Sequence, residues 1–141
     1  QNGRMEHFTI GTTEVVLNLA KNPAGFNQNI SAVLEDTSPK DLIVVINDKA
    51  QDGKDISWLW DVDFERFHDA RVQTFIASGI RALDMQLRFK YADIPSKVEE
   101  DVTKAIERLV TGGTGNLYVL CNYTALYNTH LILKKLEEGK V

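Results

Sequence analysis

Residues 42–46 read Leu-Ile-Val-Val-Ile, apolar at every position, and this run restricts the fold more than any other feature. A strand with one face in water alternates apolar and polar side chains, so an unbroken run has to be covered on both faces. Cover on both faces implies a parallel sheet packed between helices. Parallel neighbours cannot be joined by a tight turn, and each needs a crossover of about a dozen residues, usually a helix. Further strand-like runs fall at 14–19, 72–77 and 117–120, with a weak one around Val98, and helical patterns separate them. The predicted fold is α/β, an open, mostly parallel Rossmann-like sheet with helices on both faces.

The helix over 102–110 is the clearest. Val102, Ala105, Ile106, Leu109 and Val110 fall at i, i+3, i+4, i+7 and i+8, while Lys104, Glu107 and Arg108 point away. Ile80, Leu83 and Leu87 form a second stripe and Leu126, Leu133 and Leu136 a third, and both are expected to face the core. The third helix ends in Lys134, Lys135 and then Gly139, a C-terminal signal. Pro23 suits the first turn of a helix that continues through Phe26, Ile30, Val33 and Leu34.

A chain of 141 residues without internal repeats or low-complexity stretches reads as one domain. Its 16 Lys and Arg against 20 Asp and Glu leave a formal charge of −4. Nucleic acid and anionic membranes are therefore not expected partners. No apolar run approaches the roughly 20 residues of a membrane helix. Cys121 is the only cysteine, so an internal disulfide and a thiolate metal cluster are excluded and no metal site is expected. A reducing, cytoplasmic setting follows. The start Gln1-Asn2-Gly3-Arg4, without an initiator Met, suggests a piece of a longer protein.

Open α/β sheets bind ligands beyond the carboxyl ends of their strands. The residues there are Asn18, Lys21 and Asn22, then Asn47, Asp48 and Asp55, then Ser78, Gly79 and Arg81, then Glu100 and Asp101, and finally Asn122, Tyr123 and Thr124. Asp101 and Thr124 read as helix N-caps. Thr111-Gly112-Gly113-Thr114-Gly115 ends a helix and opens a strand, the reverse of a phosphate loop, and so reads as a C-terminal turn. Cys121 closes an apolar strand and has no histidine at a suggestive spacing, so it reads as a buried structural thiol.

The stretch 48–65 is the unusual part, holding six acids and both tryptophans of the chain. Its acids do not fall at the alternating positions of a calcium loop. One account is a solvated acidic loop with tryptophans packed beneath it. The other is a protein interface, where aromatic anchors carry binding energy. A lone carboxylate can be the third member of a Cys-His-Asp relay, fixing the tautomer of a histidine and stabilising its cation. This chain supplies no Cys and His to accompany it. If Asp55 is catalytic, the other two members come from another polypeptide.

Several segments resemble those of Mur ligases, and of the MurT family in particular. Gly3-Arg4-Met5-Glu6 resembles the junction where the central ATPase domain of Mur ligases and folylpolyglutamate synthases passes into the C-terminal domain. Asn18-Leu19-Ala20-Lys21-Asn22-Pro23 is similar to the Asp-x-Ala-His-Asn-Pro segment of those ligases, with two departures typical of MurT. Asp55-Ile56-Ser57-Trp58 resembles the MurT Asp-x-Ser-Trp signature, and Ser78-Gly79-Ile80-Arg81-Ala82 and Asn122-Tyr123-Thr124-Ala125-Leu126 resemble further MurT segments. The resemblance implies a Mur ligase C-terminal type of domain over 9–141, with 1–8 as the tail of a linker from a missing ATPase domain.

It also implies a role. MurT is the ligase-like subunit of lipid II isoglutaminyl synthase, partnered by the class I glutaminase GatD. The complex uses ATP and glutamine to amidate the α-carboxyl of the second-position D-glutamate of lipid II, at the inner face of the membrane. By resemblance Asp55 completes the glutaminase triad across the interface. Ser57, Trp58, Trp60, Asp61 and Asp63 would be interface or support residues, Asp61 and Asp63 being the fallback carboxylates and core packing the other reading of the tryptophans. Lys21, Asn22, Asn27 and Arg81 would face the nucleotide or substrate cleft, with helix capping and turn formation the other reading of Asn22 and Asn27. No cofactor is expected on this piece alone. ATP with Mg, and the zinc of a four-cysteine ribbon, belong to the upstream part of the full subunit. Two rival readings stand beside this one: a non-catalytic α/β module for a nucleotide or small ligand, and the C-terminal domain of a Mur-type ligase that adds an amino acid.

Overall fold

A computed structural model describes residues 5–139. In chain order the strands are β1 (Glu6–Ile10), β2 (Thr13–Leu19), β3 (Lys40–Val45), β4 (Val72–Ser78), β5 (Lys97–Val98) and β6 (Asn116–Cys121). The helices are α1 (Pro23–Glu35), α2 (Ala82–Tyr91), α3 (Val102–Gly112) and α4 (Tyr123–Glu137), and two short 3-10 helices, Ser57–Asp61 and Phe64–Asp69, lie between β3 and β4. The strands form one sheet in the order β1-β2-β6-β3-β4-β5. The pairings β2 with β6, β6 with β3, β3 with β4 and β4 with β5 are all parallel, and β1 joins β2 antiparallel.

The apolar run around β3 takes the interior place that its composition requires, and every residue of Lys40–Val45 is buried. Leu42, Val44 and Ile46 face a core built from Phe26, Ile30 and Val33 of α1, Met85 and Phe89 of α2, and Leu59, Val62, Phe64 and Phe67 of the 3-10 segment. Ile43 and Val45 face a second core, with Ala105, Ile106 and Leu109 of α3 and Ala125 and Leu133 of α4. Each large apolar side chain fully removed from water in these layers contributes about 1.5–3 kcal/mol. Local signals match the element ends. Pro23 opens α1 with the Asn22 side chain accepting the Gly25 N–H, and the Asp101 side chain accepts the Lys104 N–H at the start of α3.

Three expectations need correction. The proposed linker 1–8 overlaps a strand, because β1 begins at Glu6 and buries Phe8 and Ile10. A two-residue hairpin loop at Gly11, φ +60°, returns the chain into β2. Residues 1–4, which include Gly3 and Arg4 of the junction segment, lie outside the described residues. Next, the stripe Ile80, Leu83 and Leu87 faces outward: Leu83 is 64% and Leu87 44% exposed. Helix α2 buries Ala82, Met85, Arg88 and Phe89 instead, a set that also repeats at helical spacing. Lastly, Thr124 is not a cap. Asn122 occupies the cap position of α4, and Thr124 is itself capped by a carboxylate from a distant loop.

Glycine at 79 is required where β4 hands over to α2. Its φ is +89°, and a Cβ there would come within 2.7 Å of the Ile46 carbonyl oxygen. That close approach lets the Ile46 carbonyl accept the Arg81 N–H at 2.9 Å, so the start of α2 is fixed against the end of β3.

Candidate functional site

β3 and β6 lie side by side, and beyond their carboxyl ends the chain departs to opposite faces of the sheet, into the 3-10 segment from one and into α4 from the other. Folds of this type usually leave a ligand crevice at such a point. Here Asn122 bridges it, with its Oδ1 accepting the Asn47 N–H at 3.0 Å and its Nδ2 donating to the Asn47 carbonyl at 2.8 Å. The irregular connection 46–56 then runs along the carboxyl edge. Two more contacts tie it down. Asp52 Oδ1 accepts the Thr124 N–H at 2.7 Å and Oδ2 accepts the Thr124 hydroxyl, placing a negative charge at the N-terminus of α4, where an N–H would otherwise lack a partner. Arg81 donates from Nη1 to Asp48 Oδ2 at 3.2 Å and to the Lys54 carbonyl at 3.5 Å, and from Nε to Asp84 at 2.7 Å. Asp84 and then Asp48 push the guanidinium pKa further up.

Asp55 follows Lys54 at the end of this loop and is exposed. Its Oδ1 accepts the Ser57 N–H at 2.9 Å, an Asx turn that sets the side chain upright while Ile56 drops into the core. The Ser57 amide first, and its hydroxyl second, hold the Asp55 carboxyl below its ordinary pKa, so it is ionised at neutral pH. A cavity of about 270 Å³ opens beside it, lined by Lys54, Asp55, Ser57, Trp60, Arg81 and Leu87. An ionised carboxylate so placed can accept an N–H from outside the molecule. None of the chain's own histidines lines this cavity: His68 Nε2 pairs with the Ala92 carbonyl and His130 with Glu6. Cys121 is buried, and burial pushes its thiol up to about 12.

The two tryptophans separate. Trp58 is half-buried against Phe26, with ring centroids 5.9 Å apart, and serves the core. Trp60 is 47% exposed, stacks edge-on against Tyr91 at 5.3 Å, and lies under the Arg88 guanidinium. With Leu83, Leu87 and Tyr91 it forms an apolar face that begins at the Asp55 cavity. Asp61 and Asp63 are both exposed but do not line that cavity. Arg81, expected at a nucleotide or substrate cleft, stands beside Asp55.

Lys21 lies elsewhere, over the Tyr123 ring at 5.8 Å, beside a cavity of about 90 Å³ shared with Asp52, Trp58 and Asn122. Asn22 caps α1, and Asn27 Oδ1 accepts the Asp63 N–H at 2.9 Å. Among the described residues no cluster of three or more His, Cys, Asp or Glu side chains is arranged to hold a metal ion.

Two important groups escaped sequence reasoning. In the sequence Asp52 is one acid among the six of its stretch. Arg88, on the buried side of α2, donates to the Leu59 carbonyl at 2.9 Å and the Val62 carbonyl at 2.6 Å and pairs with Glu65, fastening the whole 3-10 segment to the helix. The contact with Arg88 holds the Glu65 carboxyl below its usual range. The signal available was an arginine at the spacing of Ala82, Met85 and Phe89.

The fold has solved counterparts. Folylpolyglutamate synthase from Thermotoga maritima superposes with a TM-score of 0.68 at 20% identity, over 100% of this chain and 32% of that one. The MurF ligase from Thermotoga maritima, in complex with ADP, gives 0.61 at 16% identity, over 99% of this chain and 32% of that one. At such identities the likeness establishes the fold alone, and it defines the class as an α/β domain with a mostly parallel sheet, of a kind found within those two enzymes.

A narrower assignment comes from sequence. The profile of the MurT ligase C-terminal family matches residues 19–126, and the chain belongs to that family. It is 39% identical over 127 residues to the lipid II isoglutaminyl synthase (glutamine-hydrolyzing) subunit MurT of Staphylococcus aureus, covering 89% of this chain and 29% of that protein. The corresponding subunit of Streptococcus pneumoniae is 33% identical over 127 residues, covering 88% of this chain and 28% of that protein. The chain thus spans less than a third of the length of these curated relatives.

Proposed function

We propose that this chain is the C-terminal domain of the ligase-like subunit of a lipid II isoglutaminyl synthase, and that it docks a GatD-type glutaminase and lends it Asp55. The observation that carries this reading is an ionised, exposed carboxylate set upright by an Asx turn, with no histidine or cysteine of its own chain beside it. In the glutaminase a cysteine thiolate attacks the side-chain amide carbon of glutamine, and the histidine passes a proton to the departing ammonia. Water then releases glutamate from the thioester. Asp55 would accept the far N–H of that imidazole, fix its tautomer and stabilise its cation. A partner that brings its histidine to Asp55 also covers Trp60 and Leu87, which supports the apolar face of α2 as part of the docking surface.

In this reading the ammonia is used by the rest of the subunit, where ATP and Mg activate the D-glutamate carboxyl of lipid II at the cytoplasmic face of the membrane. By resemblance to the family, the zinc ribbon would belong to that same part. The nucleotide-module alternative finds little room beside Lys21, where the cavity of about 90 Å³ is below the roughly 300–1,000 Å³ of small-molecule sites; the wider cavity of about 670 Å³ at the carboxyl edge sets the carboxylates of Glu100 and Asp101 against the single cation Lys49, a poor charge balance for a phosphate.

The test is glutamine hydrolysis by the assembled complex. Asp55→Asn is expected to keep the fold and lower turnover by roughly 10²- to 10⁴-fold, as for comparable triad carboxylates, while Asp61→Asn and Asp63→Asn stay near the parent. Undiminished hydrolysis by the Asp55 variant would remove that residue from the reaction.

A further inference from the structure

We infer that Arg81 is a positioning residue for Asp55, acting through the peptide that precedes it; this rests on the role proposed for Asp55. The Asp55 carboxylate is exposed and, among the described residues, is held only by Ser57, two residues along the same segment. Its place in space therefore depends on where the backbone of 54–57 stands. The downstream side is anchored by Ile56 and Leu59 in the core. On the upstream side the loop 46–56 has no regular structure and depends on side-chain ties.

Of these ties, Asn122 and the Ile80 N–H hold the loop at Asn47 and Thr124 holds it at Asp52. Arg81 alone among them reaches the carbonyl of Lys54, the group bonded to the Asp55 nitrogen, while its same nitrogen holds Asp48 near the start of the loop. Two ends of the loop are thus gathered on one guanidinium. That guanidinium is itself fixed: its backbone N–H is bound to the Ile46 carbonyl and its Nε to Asp84. A continuous path of contacts runs from the end of β3, through the glycine-dependent start of α2, to the peptide of Asp55. The planar fork serves these acceptors from two nitrogens at a fixed separation, whereas an ammonium carries its three donors on one atom.

Transfer through an imidazole is sensitive to alignment, and a displacement of about 1 Å costs roughly a hundredfold in rate. In the assembled full-length complex, Arg81→Met is expected to lower glutamine-supported kcat by roughly tenfold to a hundredfold, with KM for glutamine little changed. In an Asp55→Asn background the same change is expected to add almost nothing, because the group it positions is gone. Losses that multiply in the double variant, or a wild-type kcat for Arg81→Met, would overturn the proposal. A wild-type kcat for Asp55→Asn alone would instead overturn the role of Asp55 on which it rests. Arg81→Lys keeps a cation between Asp48 and Asp84 and carries the test should Arg81→Met fail to fold. It loses the fork, so a several-fold fall is expected and unchanged turnover counts against Arg81.

Discussion

Asp55 and Asp36 are carboxylates at opposite edges of the sheet, and their surroundings give them opposite tasks. Asp55 keeps its charge available to the outside. Asp36, between α1 and β3, spends its charge internally: it accepts from the Ser38 N–H and hydroxyl, from Asn116 Nδ2 at 2.9 Å and from the Tyr118 hydroxyl at 2.7 Å. Partial burial alone would raise its pKa, but these donors together hold it far below the carboxylate range. A depressed folded-state pKa contributes stability that is present above the unfolded value of about 3.9 and is lost as pH falls through the folded one. Asp36→Asn is expected to cost about 1.5–3 kcal/mol at pH 7, with the gap from the parent narrowing in acid. Urea titrations at pH 7 and pH 3 check this, and an equal gap at both would contradict it. The sequence alone marked out Asp55, through its motif, but could not separate the two tryptophans. A 3-10 helix turns about 120° per residue, so Trp58 and Trp60 leave Ser57–Asp61 on different sides. That geometry was not visible in an acidic stretch without helical periodicity.

At the scale of elements, α2 has apolar residues in two helical stripes, and only one of them can face the sheet. Ala82, Met85 and Phe89 turn inward with Arg88, whose guanidinium needs the carbonyls of Leu59 and Val62 as buried acceptors. Leu83 and Leu87 are left on the outside. Spacing identified the helix correctly but not its buried side, because both stripes repeat at i, i+3 and i+7. On the proposed docking surface, Leu87→Asp is expected to cost no more than about 1 kcal/mol of stability, since nearly half of the residue is already in water. It is expected to weaken association of the full subunit with the glutaminase at least tenfold, about 1.4 kcal/mol, as read by titration calorimetry. Parental affinity in that variant would take the α2 face out of the interface.

Across the whole molecule, two apolar layers share one sheet, and β3 contributes alternate residues to each. Neither layer can open without stripping the other of its floor. Both tryptophans lie on the α1 and α2 side, so their fluorescence reports one layer, whereas far-ultraviolet dichroism reports both. The isolated domain is expected to unfold in a single step with coincident curves by the two probes. Separated curves would mean that the layers melt independently. The molecule is also cross-tied at its carboxyl edge, where Asn122, Thr124 and Arg81 each grip the loop that ends in Asp55.

The linear chain determined the parallel sheet, because an apolar run without alternation is stable only between two covered faces. It determined α1, α3 and α4 through spacing and end signals, which are local. Through the resemblance of Asp55-Ile56-Ser57-Trp58 to a family signature, it raised the expectation of a carboxylate in need of partners. Only the tertiary structure decided that residues 6–10 complete the sheet, since an edge strand depends on finding a neighbour to pair with. It alone decided which stripe of α2 is buried, that Asp52 caps a helix more than 70 positions away, and that Arg81 gathers both ends of the Asp55 loop. Each of these joins groups far apart in sequence, and local spacing carries no information about contacts that form only when the chain folds back on itself.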